Sequence, residues 1–131
     1  MRDYQKLDVW RKAHALALEV HRYRPTPTDA ADGDVMARDA LRRDTARAAR
    51  AVAAAIVTAS AAPEWDEFDA GLRWAESAVD RLAYLLRFAR DAGTLGTTPF
   101  ARFEARAVQL RAMLGGLRRA ARPGVSPRRR R

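Results

Sequence analysis

The sequence predicts an all-α protein, a four-helix bundle running up-down-up-down and followed by a disordered basic tail. Three observations carry this. Residues 72–95 place Leu72, Ala75, Val79, Leu82, Leu86, Ala89 and Gly93 at alternating steps of three and four, the seam of a helix packed lengthwise on other helices. Three further stretches repeat that period. The 7 glycines and 6 prolines fall mostly between or beyond the periodic stretches, which leaves those stretches free to be helical. Ala78, Leu85 and Ala92 recur every seven residues beside the first seam and widen it, as a helix with more than one neighbour requires.

The first helix is expected over residues 5–22. Val9, Ala13, Leu16 and Val20 follow the helical step, Leu7, Trp10 and Ala17 flank them, and Asp3 is the expected N-cap. Arg24, Pro25 and Pro27 end it, and the aspartates at 29, 32 and 34 supply caps for the second helix. That helix, over residues 35–59, has a seam of Leu41, Thr45, Ala48, Val52, Ala55 and Ala59 with Ile56 beside it. Pro63 breaks the chain, and Glu64, Asp66 and Glu67 suit the positive end of the third helix. Trp65, Phe68 and Trp74 in its opening turns are expected as core or interface anchors, and Gly93 as its C′ residue. Thr98 and Pro99 read as N-cap and N1 of the fourth helix, with Phe100, Phe103, Ala107, Leu110, Leu114 and Leu117 as its seam. Gly115 and Gly116 inside it cost about 1 kcal/mol each against alanine. They are expected to permit a close backbone approach. From Pro123 onward nothing can form a core, so residues 1–122 are the bundle and 123–131 the tail.

A chain of 131 residues is one domain with room for a core. Its hydrophobic share of 48% is largely alanine, which favours helix but fills little volume, so helices must approach closely or meet partner chains. With no cysteine, disulfides and thiolate metal sites are excluded. His14 and His21 lie seven apart, not at the i, i+4 spacing of helical metal ligands, so neither metal nor cofactor is expected. The charged N-terminus has no apolar run after it, and no stretch approaches the roughly 20 apolar residues of a membrane span. The expectation is a cytoplasmic protein without a membrane role.

Catalytic motifs are missing: there is no phosphate-binding glycine loop, no HExxH and no G-x-S-x-G. Glu76 and Asp80, at i, i+4, are a possible carboxylate pair, but Arg73 and Arg81 stand close enough in sequence to neutralise them at the surface. An enzyme is not expected.

Charge is the functional signal. The net charge is +9, and it is uneven. Residues 1–34 are neutral, and residues 61–95 carry four basic and seven acidic residues. Residues 35–60 carry five and two, and residues 96–131 ten and one. GC-rich coding accounts for arginine supplying 23 of the 25 basic residues, but not for the net excess. Such asymmetry points to a polyanion or an acidic protein as partner. Arg43, Arg47 and Arg50 form a stripe at i, i+4, i+7 of the second helix, with Arg42 nearby; Arg102, Arg106, Arg111, Arg118 and Arg119 lie off the seam of the fourth. Arg128, Arg129, Arg130 and Arg131 close the chain. Arg42 apart, these twelve arginines are the expected nucleic-acid-binding residues, neutralising phosphates of RNA or DNA without sequence preference. The acidic third helix is expected to face away from that ligand. A scaffold that docks an acidic protein partner is the alternative.

Tyr4, Leu7, Val9, Trp10 and Ala13 form an opening that resembles the bacterial four-helix-bundle proteins found in 23S rRNA intervening sequences, and Leu41, Arg42 and Arg43 are similar to their Ile-Arg-Arg step. Where those proteins carry Asn-Ile-Ala-Glu-Gly, this chain has Ala51, Val52, Ala53, Ala54 and Ala55. The second half is similar to the accessory variability determinant (Avd) proteins of diversity-generating retroelements, which share that fold. The matching residues are Leu85 through to Asp91 in the third helix, Leu95 after Gly93, and Arg111, Met113, Leu114, Gly115 and Gly116 in the fourth. Leu117 stands where Avd proteins have tryptophan. The resemblance covers residues 4–120. It implies a homopentameric barrel. The likeness to the Avd group further implies a non-catalytic role that binds nucleic acid and a reverse transcriptase, and the likeness to the intervening-sequence group implies no activity.

Overall fold

The computed structural model describes residues 2–24 and 35–124. The loop expected around Pro25 and Pro27, the capping aspartates at 29, 32 and 34, and Arg128, Arg129, Arg130 and Arg131 of the expected tail lie outside the described residues. A short 3-10 helix, Tyr4–Lys6, leads into α1 (Asp8–Arg22). Then come α2 (Val35–Ser60), α3 (Trp65–Asp91) and α4 (Thr97–Ala121), and no strand occurs among the described residues. Each helix packs on the next, and α4 returns to α1, which closes an up-down-up-down bundle.

The predicted seams are the core. Val9, Ala13, Leu16 and Val20 of α1 are buried, as are Leu72, Ala75, Val79, Leu82, Leu86 and Ala89 of α3 and Phe100, Phe103, Ala107, Leu110 and Leu114 of α4. The α2 contribution is thin: Ala46, Ala48, Ala49, Ala53, Ala55 and Ala59 surround Val52 and Ile56. Small side chains there let α1 and α3 close in, and the volume comes from Phe68, Phe103 and the leucines opposite. Among the glycines the closest approach is at Gly71, where an added Cβ would stand 2.6 Å from Ala59 Cβ and 2.8 Å from Ala59 Cα. Gly115 and Gly116, expected to play that part, meet no backbone from another helix within 4 Å. Their nearest neighbours are the Arg119 guanidinium and the Glu76 carboxylate.

The helix ends differ from expectation in two places. Asp3 caps the 3-10 turn, accepting the Gln5 N–H at 3.0 Å, and Leu7 is the N-cap of α1. Leu7 is extended there, which turns its side chain onto the core. At α4 the N-cap is Gly96 rather than Thr98, so Pro99 sits at the third helical position. A proline is tolerated there because the first intrahelical donor is Phe100, bonded to Gly96 O at 2.9 Å. The end of α3 follows expectation. Gly93 has φ +81°, its N–H meets Arg90 O at 3.0 Å, and the Thr94 N–H meets Ala89 O at 2.9 Å, a Schellman closure.

Among the opening aromatics of α3, Phe68 is fully buried and Trp65 half-buried, but Trp74 is 73% exposed. It lies on the face opposite the seam. Phe68 is also the platform for the N-terminus. The Arg2 guanidinium lies 3.8 Å from its ring centroid and donates to Ala62 O, while the Arg2 N–H meets Ser60 O at 2.9 Å. The start of the chain is thereby strapped across the α2–α3 turn.

Candidate nucleic-acid interface

Antiparallel packing sets the last turn of α1 beside the first half of α2. His21 and Arg24 from one side and Arg42, Arg43, Arg47 and Arg50 from the other line a shallow concavity, and buried Ala46 forms its floor. No carboxylate lines it. Asp39 and Asp44 reach Arg42 and Arg47 only at 3.6 Å, in i, i+3 pairs, of which Arg47–Asp44 is exposed to screening by water and salt and Arg42–Asp39 is half-buried. Arg43 and Arg50 have no ion-pair partner among the described residues. Arg24 folds back to donate to the carbonyls of His21 and Tyr23 at 2.9 and 3.0 Å, which holds its charge at the rim. Arg43 to Arg50 covers roughly 10 Å of helix. Over such a length a nucleic-acid duplex, with one charge per ~1.7 Å, presents several phosphates.

The structure thus brings Arg43, Arg47 and Arg50 together and deploys most of the α4 arginines elsewhere. Arg102 and Arg106 converge on Glu19 of α1, Arg102 at 3.7 Å. Arg111 pairs with Glu76 at 2.9 Å and with Asp80 at 3.1 Å. Arg118 donates to Asp69 at 2.8 Å and to both Glu76 oxygens at 3.2 Å. Asp69 also takes Arg73, at 3.1 Å. The expected surface neutralisation of Glu76 and Asp80 by Arg73 and Arg81 is therefore replaced by a ladder between helices. Heptad spacing explains it: Asp69 and Glu76 on α3, and Arg111 and Arg118 on α4, are each seven residues apart on facing edges. The acidity of α3 is turned onto α4, not simply away from a ligand. Asp69 and Glu76 are only 8% and 9% exposed. The Arg118 hydrogen bond, aided by its charge and that of Arg73, outweighs burial and holds the Asp69 carboxyl below its ordinary pKa. The same bond raises Arg118 above the usual guanidinium value. Arg119 is exposed at the end of α4.

No group of three or more His, Cys, Asp or Glu among the described residues is placed to hold a metal ion. No helix among them is long and apolar enough to cross a membrane.

The sequence profile of the 23S rRNA-intervening sequence protein family matches residues 5–116. The chain belongs to this family. No curated protein matches it. The family match takes in the whole α1–α2 groove and stops before the last turn of α4, so Arg118 and Arg119 lie beyond it. It holds despite the alanine-rich residues 51–55.

In this family member, sequence reasoning missed His21 and Arg24 and treated Arg42 as peripheral. The signal was present. A helical hairpin must set the end of the first helix beside the start of the second, and His21, Arg22 and Arg24 crowd that end.

Proposed function

We propose that this chain is a cytoplasmic, non-catalytic protein that binds nucleic acid through the α1–α2 groove and works as a homo-oligomer. One observation carries the reading. His21 and five arginines share a concave strip with no carboxylate in its lining, where phosphates would displace condensed counterions. Contacts of this kind position a backbone and read no bases, so RNA and DNA should both bind. The oligomer is supported by an exposed apolar face. Trp74, Tyr84 and Phe88 are 73%, 61% and 49% exposed along the outside of α3, a face that a second copy would cover. Five copies, and an accessory role beside a reverse transcriptase, follow from the likeness of α3 and α4 to Avd proteins.

Fluorescence anisotropy with labelled single- and double-stranded oligonucleotides at 50 and 200 mM salt tests the groove. Binding should fall steeply with salt, and Arg43→Gln with Arg47→Gln and Arg50→Gln should flatten the log–log slope by roughly 3 on duplex. No binding at low salt refutes it. Retention of an acidic protein partner together with no nucleic-acid affinity would favour the docking scaffold instead. Light scattering at micromolar concentration tests assembly, and a monomer mass refutes it.

A further inference from the structure

At the far end of the bundle from that groove, α3 begins and α4 ends. Trp65, Asp69 and Arg73 stand at i, i+4, i+8 of α3, and Arg118, Arg119 and Arg122 face them across a second concavity. Gly115 keeps it open: a Cβ there would lie 3.4 Å from Arg119 Nη1 and 3.9 Å from Glu76 Oε2. Charge in this corner does not balance. Four guanidiniums, of Arg73, Arg118, Arg119 and Arg122, meet two carboxylates, Asp69 and Glu76. Both Asp69 oxygens are already taken, one by Arg118 and one by Arg73. Glu76 is shared with Arg111, whose other partner is Asp80. Two positive charges are left over. They sit on Arg119 and Arg122, which are exposed and have no ion-pair partner among the described residues.

A second observation comes from a neutral group. The Trp65 indole Nε1 is buried and meets no acceptor among the described residues. Buried donors are nearly always satisfied, and an orphan calls for an explanation. Arginines in a last turn also offset the helix dipole. That accounts for Arg118 and Arg119, but neither for the indole nor for the space above Gly115.

We infer that this corner is a binding site for a phosphate monoester dianion. Arg119 and Arg122 supply the matching double charge, and guanidinium forks suit a tetrahedral oxyanion. Arg118 is held as a rigid wall by Asp69 and Glu76. The unpartnered Trp65 N–H, on a residue that lines the same concavity, is the neutral donor. The site lies on α3 and α4 and uses none of Arg43, Arg47 or Arg50. Its test is therefore independent of the groove.

The chain labelled with 15N gives indole N–H peaks for Trp10, Trp65 and Trp74, and Trp65→Phe identifies the relevant one. Inorganic phosphate is titrated against sodium chloride at equal ionic strength. The expected result is a saturable shift of the Trp65 peak with phosphate, with affinity reduced at least about tenfold in the Arg119→Gln, Arg122→Gln variant. A like shift with a 5′-phosphorylated dinucleotide but not its 5′-hydroxyl form supports the site and assigns it to strand ends. A shift with inorganic phosphate alone supports it as a small-anion site. A Trp65 peak that stays still, moves equally with chloride, or responds undiminished in the double variant overturns the inference.

Discussion

Gly71→Ala and Gly115→Ala are the same chemical change at the middle of two helices, and the structure gives them opposite signs. At Gly71 the new methyl would sit 2.6 Å from Ala59 Cβ and 2.8 Å from Ala59 Cα. Comfortable carbon contacts are about 3.5–4.0 Å, so α3 would have to move off α2 by roughly 1 Å. The obstacle is an alanine and its backbone, and neither has a rotamer to yield. Overpacking costs about 1–3 kcal/mol, and with nothing able to yield this contact belongs in the upper half of that range, while the helix-propensity gain returns about 1. The net is a loss of about 1–2 kcal/mol, or a Tm lower by about 4–8 °C in a domain of this size. At Gly115 only the ends of flexible or charged side chains are near, so alanine should gain up to about 1 kcal/mol. Thermal and urea melts at one fixed protein concentration measure both. Adding Ala59→Gly to Gly71→Ala should recover much of the loss through coupling of the two sites. A Gly71→Ala protein as stable as its parent, or a Gly115→Ala protein that loses stability to the same degree, would refute the packing argument.

Other outcomes follow from the ion-pair ladder and the arginines. Because the Asp69 carboxyl is held below its ordinary range by Arg118, its contribution is fully present above about pH 4 and lost as pH falls through its folded value. Urea melts from pH 7 to pH 2.5 should show Asp69→Asn less stable at neutral pH and less sensitive to acid. Arg118→Met leaves two buried carboxylates with Arg73 and Arg111 as their remaining partners. Breaking a buried pair costs about 3–5 kcal/mol, and those partners bring the expected loss to the lower end, readable as a drop in urea midpoint with unchanged m. Arg102→Gln with Arg106→Gln should change the salt slope of nucleic-acid binding less than the α2 triple variant, since both side chains converge on Glu19. An equal change would return α4 to the interface.

The helices and their seams were legible because burial follows the 3.6-residue period closely: six of the seven seam positions in α3 are buried, and the seventh, Gly93, is its C′ residue. Helix ends were less so. Thr98 and Pro99 satisfy the composition of a start, but Gly96 reaches the required extended geometry two residues earlier. The double glycine misled because glycine in a helix signals a close neighbour without saying whether it is a backbone or a guanidinium. For the interface, the α2 stripe was visible from spacing along one helix. The removal of Arg111 and Arg118 into the ladder was not, because it depends on the register between α3 and α4. The groove needed α1 as well, and contacts between helices are written in no single helix.

Glu19 has a consequence for how the bundle comes apart. It supplies both ion pairs found across the α1–α4 edge, where the two helices touch least. The α2–α3 pair, by contrast, is the most extensive contact among the helices and includes the close approach of Gly71 to Ala59. The molecule is a tight helical hairpin carrying α4 on α3 and α1 on α2, with only a light seam between α1 and α4. Local opening should therefore begin with α1 swinging from α4 on its attachment to α2. That hinge runs beside the basic groove, so a strand lying across His21, Arg24 and the α2 arginines would act as a suture. Amide exchange in α1 would slow on binding, while α3 would scarcely register that anything had bound.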